Sequence, residues 1–126
     1  MNLAIELGAE RIFILGGTGT RLDHVVANIK LLSHALERKK ECILMDAHNR
    51  IRLIDQPLTI EKKKQYGKYV SLFAFGGQVT GLTLRGFFYP LTEYDMTPEN
   101  PIGVSNEITA ENGEISFSSG MLLVME

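Results

Sequence analysis

RIFILGGTGTRLDHVVANIKLL, residues 11–32, decides how the first part of this chain is read. Arg11–Leu15 is β-branched and aromatic and ends in glycine, the signature of a short buried strand. From Leu22 onward the apolar positions Leu22, Val25, Val26, Ile29, Leu32 and Leu36 recur every three or four residues, which predicts an amphipathic helix over 22–36. Arg38, Lys39 and Lys40 follow, and cations suit the negative end of a helix. CILMD, residues 42–46, reads as a second buried strand. Upstream, Leu3, Ala4 and Leu7 have helical spacing and Gly8 supplies a stop. Residues 1–46 therefore predict an α-β-α-β order, with a crossover helix joining two parallel strands.

Beyond Asp46 the apolar period drops to two. AHNRIRLI, KYVSLFAF, VTGLTLRG, EISFSS and MLLVME read as short strands, separated by Gly76-Gly77, by PENP (98–101) and by Asn112-Gly113. The expected fold class is an α/β fragment, built of βα units of a parallel sheet, followed by an all-β sandwich domain. The expected domains are 1–48 and 49–126. Two parallel strands with exposed edges are not a comfortable unit, and the helix at Met1 has no N-cap ahead of it. Both features point to missing upstream strands.

Composition narrows the class. With 44% hydrophobic and 22% charged residues the chain is globular in type, and 13 basic against 15 acidic residues give a net charge of −2. No global basic field exists to attract nucleic acid. EKKKQYGK, residues 61–68, reads as a solvated connection between strands. The single cysteine, Cys42, excludes an intrachain disulfide and reads as a packing residue in a reducing compartment. No apolar run approaches the roughly 18–20 residues that span a bilayer. MNLAIELGAE lacks a signal-peptide pattern, so a cytoplasmic location is expected.

Gly16, Gly17 and Gly19, with Thr18 and Thr20 among them, form a strand-to-helix turn that can leave amides free for an anion at the start of the next helix. Arg21 offers a planar fork for two phosphate oxygens, and Asp23 a hard oxygen for magnesium. The plainer alternative is an ordinary turn in which Arg21 and Asp23 pair at the helix start. No Gly-Lys-Ser/Thr follows, and the spacing is not that of a dinucleotide fingerprint.

Two families contain a similar turn. Sugar-nucleotide pyrophosphorylases share GGTGTRL, but no Pro-Lys segment follows here and the chain turns all-β. GGTGTRLDHVVANIKLL is more similar to the Arg-x-Asp-His, Ala-Asn-x-x-Leu-Leu segment of thiamine pyrophosphokinases. YVSLFAFGGQVTGLTLRGFFYPL, PIGVSNEI and GMLLVME resemble the later blocks of that family, in order, across nearly the whole chain.

The resemblance implies transfer of pyrophosphate from ATP to thiamine, giving thiamine diphosphate and AMP, by a homodimer that uses magnesium. It implies that Gly16, Gly17, Thr18, Gly19 and Thr20 lie against ATP, that Arg21 holds the phosphates, and that Asp23 positions magnesium. It places Ser105, Asn106, Glu107 and Tyr89 at thiamine. MLLVM has no tryptophan where some members stack one on thiamine. The family's Asp-x-Asp-Ser and Thr-Asp motifs are absent, so the chain is expected to correspond to the C-terminal portion and to be inactive alone. The alternative function is a non-catalytic module binding thiamine or a related heterocycle.

Overall fold

The computed structural model describes residues 1–19 and 21–126, which form two compact units, Met1–Leu53 and Ile54–Glu126. In the first unit, α1 (Asn2–Glu6) leads to β1 (Arg11–Leu15), then α2 (Leu22–Glu37), β2 (Glu41–Met45) and β3 (Arg50–Ile54). β1 and β2 run parallel, in register from Arg11↔Glu41 to Leu15↔Met45, and β3 pairs antiparallel with β2. Leu32 and Ala35 of α2 and Cys42, Ile43 and Leu44 of β2 are buried. Burial pushes the Cys42 thiol above its usual range, so it stays a protonated packing group.

The second unit is organised by one strand. β4 (Leu58–Glu61) is followed by a 3₁₀ turn at Lys62–Lys64 and by β5 (Ser71–Arg85), β6 (Leu91–Met96), β7 (Asn112–Ser116) and β8 (Ser119–Met125). β5 pairs with β8 through Ser71–Phe75 and, further along, with β6 and with β7, which in turn pairs with β4. KYVSLFAF and VTGLTLRG were expected as separate strands broken at Gly76-Gly77, yet they form this one continuous strand. Gly76 takes a left-handed φ of +73°, and the register shifts between Phe75 and Thr80, so the glycines bend the strand without ending it.

That bend overturns the expected fold class. The chain is mostly β, with 45% strand against 19% helix, and does not form an α/β fragment followed by a separate sandwich domain. In the second unit the β-strands are carried by a single curled sheet rather than by two stacked layers, because β5 hands its pairing from β8 to β6 and β7 along its length. The curl encloses one apolar cluster that includes Ile60, Leu72, Leu82, Met96, Ile115 and Leu122. β4 and β6 are strands the apolar pattern alone did not mark: LTIE and LTEYDM alternate too weakly to stand out from loops.

Leu82 has no exposed surface and sits where β5 changes partners. Leu82→Ala should lower stability by about 3 kcal/mol, from lost transfer energy plus the cavity left behind. Chemical denaturation followed by circular dichroism checks this, and a loss below about 1 kcal/mol would show that the sheet closes around the gap.

Candidate functional site

The glycine turn leaves the carboxyl end of β1, beside the end of β2, where parallel strands commonly meet ligands. Its glycines are needed for different reasons. Gly16 has φ +71°, a conformation costly for any side chain, whereas at Gly17 an added Cβ would come within 2.6 Å of Leu44 Cδ1. At Gly19 an added Cβ would meet nothing within 4 Å, so packing does not explain that glycine. Asn28, in the second turn of α2, donates its Nδ2 to Gly17 O at 2.9 Å and ties the turn to the helix. Thr20 lies outside the described residues.

Arg21 and Asp23 do pair. Nη2 reaches Asp23 Oδ2 at 2.5 Å and Nε reaches Oδ1 at 3.1 Å. Arg21, and next the His24 amide at 2.9 Å, hold the Asp23 carboxyl below its usual range. Both side chains are more than half exposed, and exposed ion pairs contribute little. A phosphate could therefore take the guanidinium at small cost. Asp23 suits magnesium in hardness and charge, since that ion often takes one or two carboxylates and completes its shell with water and phosphate oxygens.

One residue of this unit escaped the sequence reading. Asp46 follows β2 directly and accepts a hydrogen bond from the Thr18 hydroxyl. Its Oδ1 also accepts from the amides of His48 (2.7 Å) and Asn49 (2.6 Å), while its own amide donates to Asn49 O at 3.0 Å. Thr18 first, then these amides, hold the carboxyl far below the ordinary range. The available signal was Asp-x-x-Asn after an apolar strand, a side-chain-capped turn.

In the second unit, Ser105, Asn106, Glu107 and Tyr89 come together around a buried amide. Asn106 is 3% exposed. Its Oδ1 accepts from the amides of Tyr89 (3.0 Å) and Glu107 (2.9 Å), and its Nδ2 donates to Tyr89 O at 2.9 Å. Its backbone exchanges hydrogen bonds with Val70 at 2.8 and 2.9 Å. Three of the four bonds an asparagine side chain can make are thus spent inside the protein. Asn106 clamps the 88–89 segment to the 104–107 segment and to the start of β5.

Ser105 is exposed, has φ +56°, and its amide donates to Ser71 Oγ at 2.9 Å. A left-handed serine is uncommon and marks a tightly determined loop. Around it the surface is unusually apolar. Phe88 and Tyr89 are each 61% exposed and meet edge to face at 4.8 Å, and Tyr69 and Val104 are also exposed. Exposed aromatic patches of this kind mark binding surfaces. A concavity of about 600 Å³ elsewhere in the unit, bordered by Glu61, Lys62, Lys63, Glu111 and Asn112, involves none of these residues. It is open and mixed in charge.

The sequence profile of the family described as "Thiamin pyrophosphokinase, vitamin B1 binding domain" matches residues 56–122, and the chain belongs to that family. It is 31% identical to the thiamine pyrophosphokinase of Bacillus subtilis over 125 residues, which is 99% of this chain and 58% of the relative. The crystal structure of thiamine pyrophosphokinase from Bacillus subtilis superposes with a TM-score of 0.93 at 32% identity, covering 99% of this chain and 59% of that one. That of Geobacillus thermodenitrificans gives 0.84 at 31%, covering 98% and 57%. The chain thus spans somewhat over half the length of these relatives.

Asn106→Ala should cost about 2–4 kcal/mol, because it strands two amides and a carbonyl near the core. Ser105→Ala should change stability by no more than about 0.5 kcal/mol, as its side chain is exposed. Equal losses for the two variants in urea unfolding would contradict the clamp assigned to Asn106.

Proposed function

We propose that this chain serves the transfer of pyrophosphate from ATP to thiamine, giving thiamine diphosphate and AMP. The observation that carries the reading is the family match across residues 56–122, which covers β4 to β7, the start of β8 and both segments held by Asn106. Thiamine binds the aromatic surface of the second unit, where Phe88 and Tyr89 present ring faces suited to a cationic heterocycle. Ser105 and Glu107 offer polar edges to the pyrimidine. Asn106 acts there by setting the loop, since its own amide is largely occupied.

ATP lies against Gly16–Gly19 and Thr20, with Arg21 released from Asp23 to hold phosphate oxygens. Asp23 would hold magnesium, which when bound beside the phosphates would supply charge neutralisation. In the transfer the thiamine hydroxyl oxygen bonds to the β-phosphorus and gives up its proton to water, as the bond from that phosphorus to the α-phosphate oxygen breaks and AMP departs on that oxygen. Such reactions run on positioning and charge stabilisation more than on covalent work by the protein. The guanidinium of Arg21 offsets the charge that grows on the departing phosphate.

A homodimer belongs to this reading, supported by exposed apolar side chains of the first unit, Phe13 at 51% and Leu15 at 74% among them. So does a cytoplasmic location; among the described residues no helix is long and apolar enough to cross a membrane. The Asp-x-Asp-Ser and Thr-Asp motifs do not occur in these 126 residues, so turnover by the chain alone is expected to be very low.

Calorimetric titration with thiamine and with magnesium–ATP separately, beside an AMP-release assay, tests the reading. Both ligands should bind, and Arg21→Ala should weaken magnesium–ATP about tenfold by removing a charge-assisted contact. Thiamine binding alone would favour a non-catalytic module, and binding of neither would remove the proposal.

A further inference from the structure

We propose that Asp46 is the positioning residue of the glycine turn, acting through the Thr18 hydroxyl to fix the backbone that receives a nucleotide phosphate. The inference deepens the reading of that turn as the ATP site and rests on it. Leu15 and Met45 are the last paired residues of the parallel strands, so Gly16 and Asp46 leave the sheet side by side. The chain then turns away in both places, and a link between the two turns is the shortest brace available to either.

The link is built from the Asp46 side outward. Two amides, His48 and Asn49, fix one carboxylate oxygen, and Asn49 Nδ2 lies 3.2 Å from each oxygen. The carboxylate is thus oriented by its own turn before it meets Thr18. The other oxygen receives the Thr18 hydroxyl across 28 residues of sequence. On the far side of the same turn, Asn28 holds the neighbouring Gly17 carbonyl. Two side chains from different elements therefore pin adjacent residues of a glycine-rich segment that would otherwise be mobile.

The donor count assigns the roles. A hydroxyl has one proton, and Thr18 gives it to Asp46, so Thr18 has none to offer a phosphate oxygen. Its contribution to anion binding is made through the backbone it holds in place. The donors around Asp46 also disperse a negative charge that would oppose a phosphate nearby, and they keep that charge fully formed over the physiological range.

The test uses the ¹⁵N-labelled full chain and its Thr18→Val, Asp46→Asn and Thr18→Ser variants, with the Thr18→Val/Asp46→Asn double. Amide exchange at Gly16, Gly17 and Gly19 reports the turn, and titration with magnesium–ATP reports binding. Each of Thr18→Val and Asp46→Asn should speed exchange and weaken nucleotide binding by about tenfold. The double should be no worse than either single, and Thr18→Ser, which keeps the hydroxyl, should restore most of the affinity. Should Asp46→Asn fail to fold, Thr18→Val and Thr18→Ser decide the matter, because they leave the Asp46 turn intact. Unchanged glycine exchange in Thr18→Val, or failure of serine to rescue, would overturn the proposal. If the unaltered chain shows no shift with magnesium–ATP, the ATP reading falls, and the exchange comparison still decides whether Asp46 sets the turn.

Discussion

The second unit depends on one constraint: a single fifteen-residue strand must satisfy the edges of three others. A flat strand could not do so, since its neighbours would collide or leave an edge open. β5 solves this by bending at glycines with left-handed φ and by shifting register, so that its first half answers β8 and its second half β6 and β7. The bend decides where the apolar side chains converge, and with them the core. It also leaves the start of β5 free to meet the loop that carries Ser105 and Asn106, through Val70, Ser71 and Leu72.

That meeting ties the fold to the site. Gly103 lies so close to β5 that an added Cβ would sit 2.4 Å from Leu72 O, and Leu72 in turn donates to Gly103 O at 2.9 Å. With the loop pressed against the strand, Asn106 is carried inward, and burial obliges its amide to find partners. It finds them in the 88–89 backbone. Phe88 and Tyr89 are held outward as a consequence, their main chain anchored while their rings stay in solvent. The exposed aromatics and the buried amide are two sides of one arrangement.

Much of this was legible. RIFIL, the 22–37 helix and CILM carry strong periods, and the structure forms elements at those places within a residue or two, although β1 is not the buried strand expected: Phe13 is 51% and Leu15 74% exposed. The β half was legible in its strands but not in their joining. Gly76-Gly77 is the same dipeptide whether it ends a strand or bends one, and the outcome depends on partners distant in sequence. β4 and β6 were missed because their outward residues are polar and their inward ones few. At the candidate site, residue types point to Arg21, Asp23, Ser105 and Asn106, while no local pattern marks Asp46 as part of it, because its bond to Thr18 spans 28 residues.

The same comparison separates two meanings of a site residue. Sequence reasoning assigns roles by what a side chain can offer: an amide reads a heterocycle, a hydroxyl reads a phosphate. The structure shows what has already been taken. Asn106 and Thr18 both carry groups suited to a ligand, and both have committed them to the protein. Arg21 and Asp23 are committed as well, but to each other and, for Asp23, to the neighbouring His24 amide, in solvent, where the ion pair is cheaply exchanged. Groups whose partners are themselves fixed by several further bonds shape the site, and groups paired singly in solvent remain available to what enters it. By that criterion the turn offers a ligand Arg21, Asp23 and the backbone near Gly19, and the curled sheet offers Ser105, Tyr89 and Phe88.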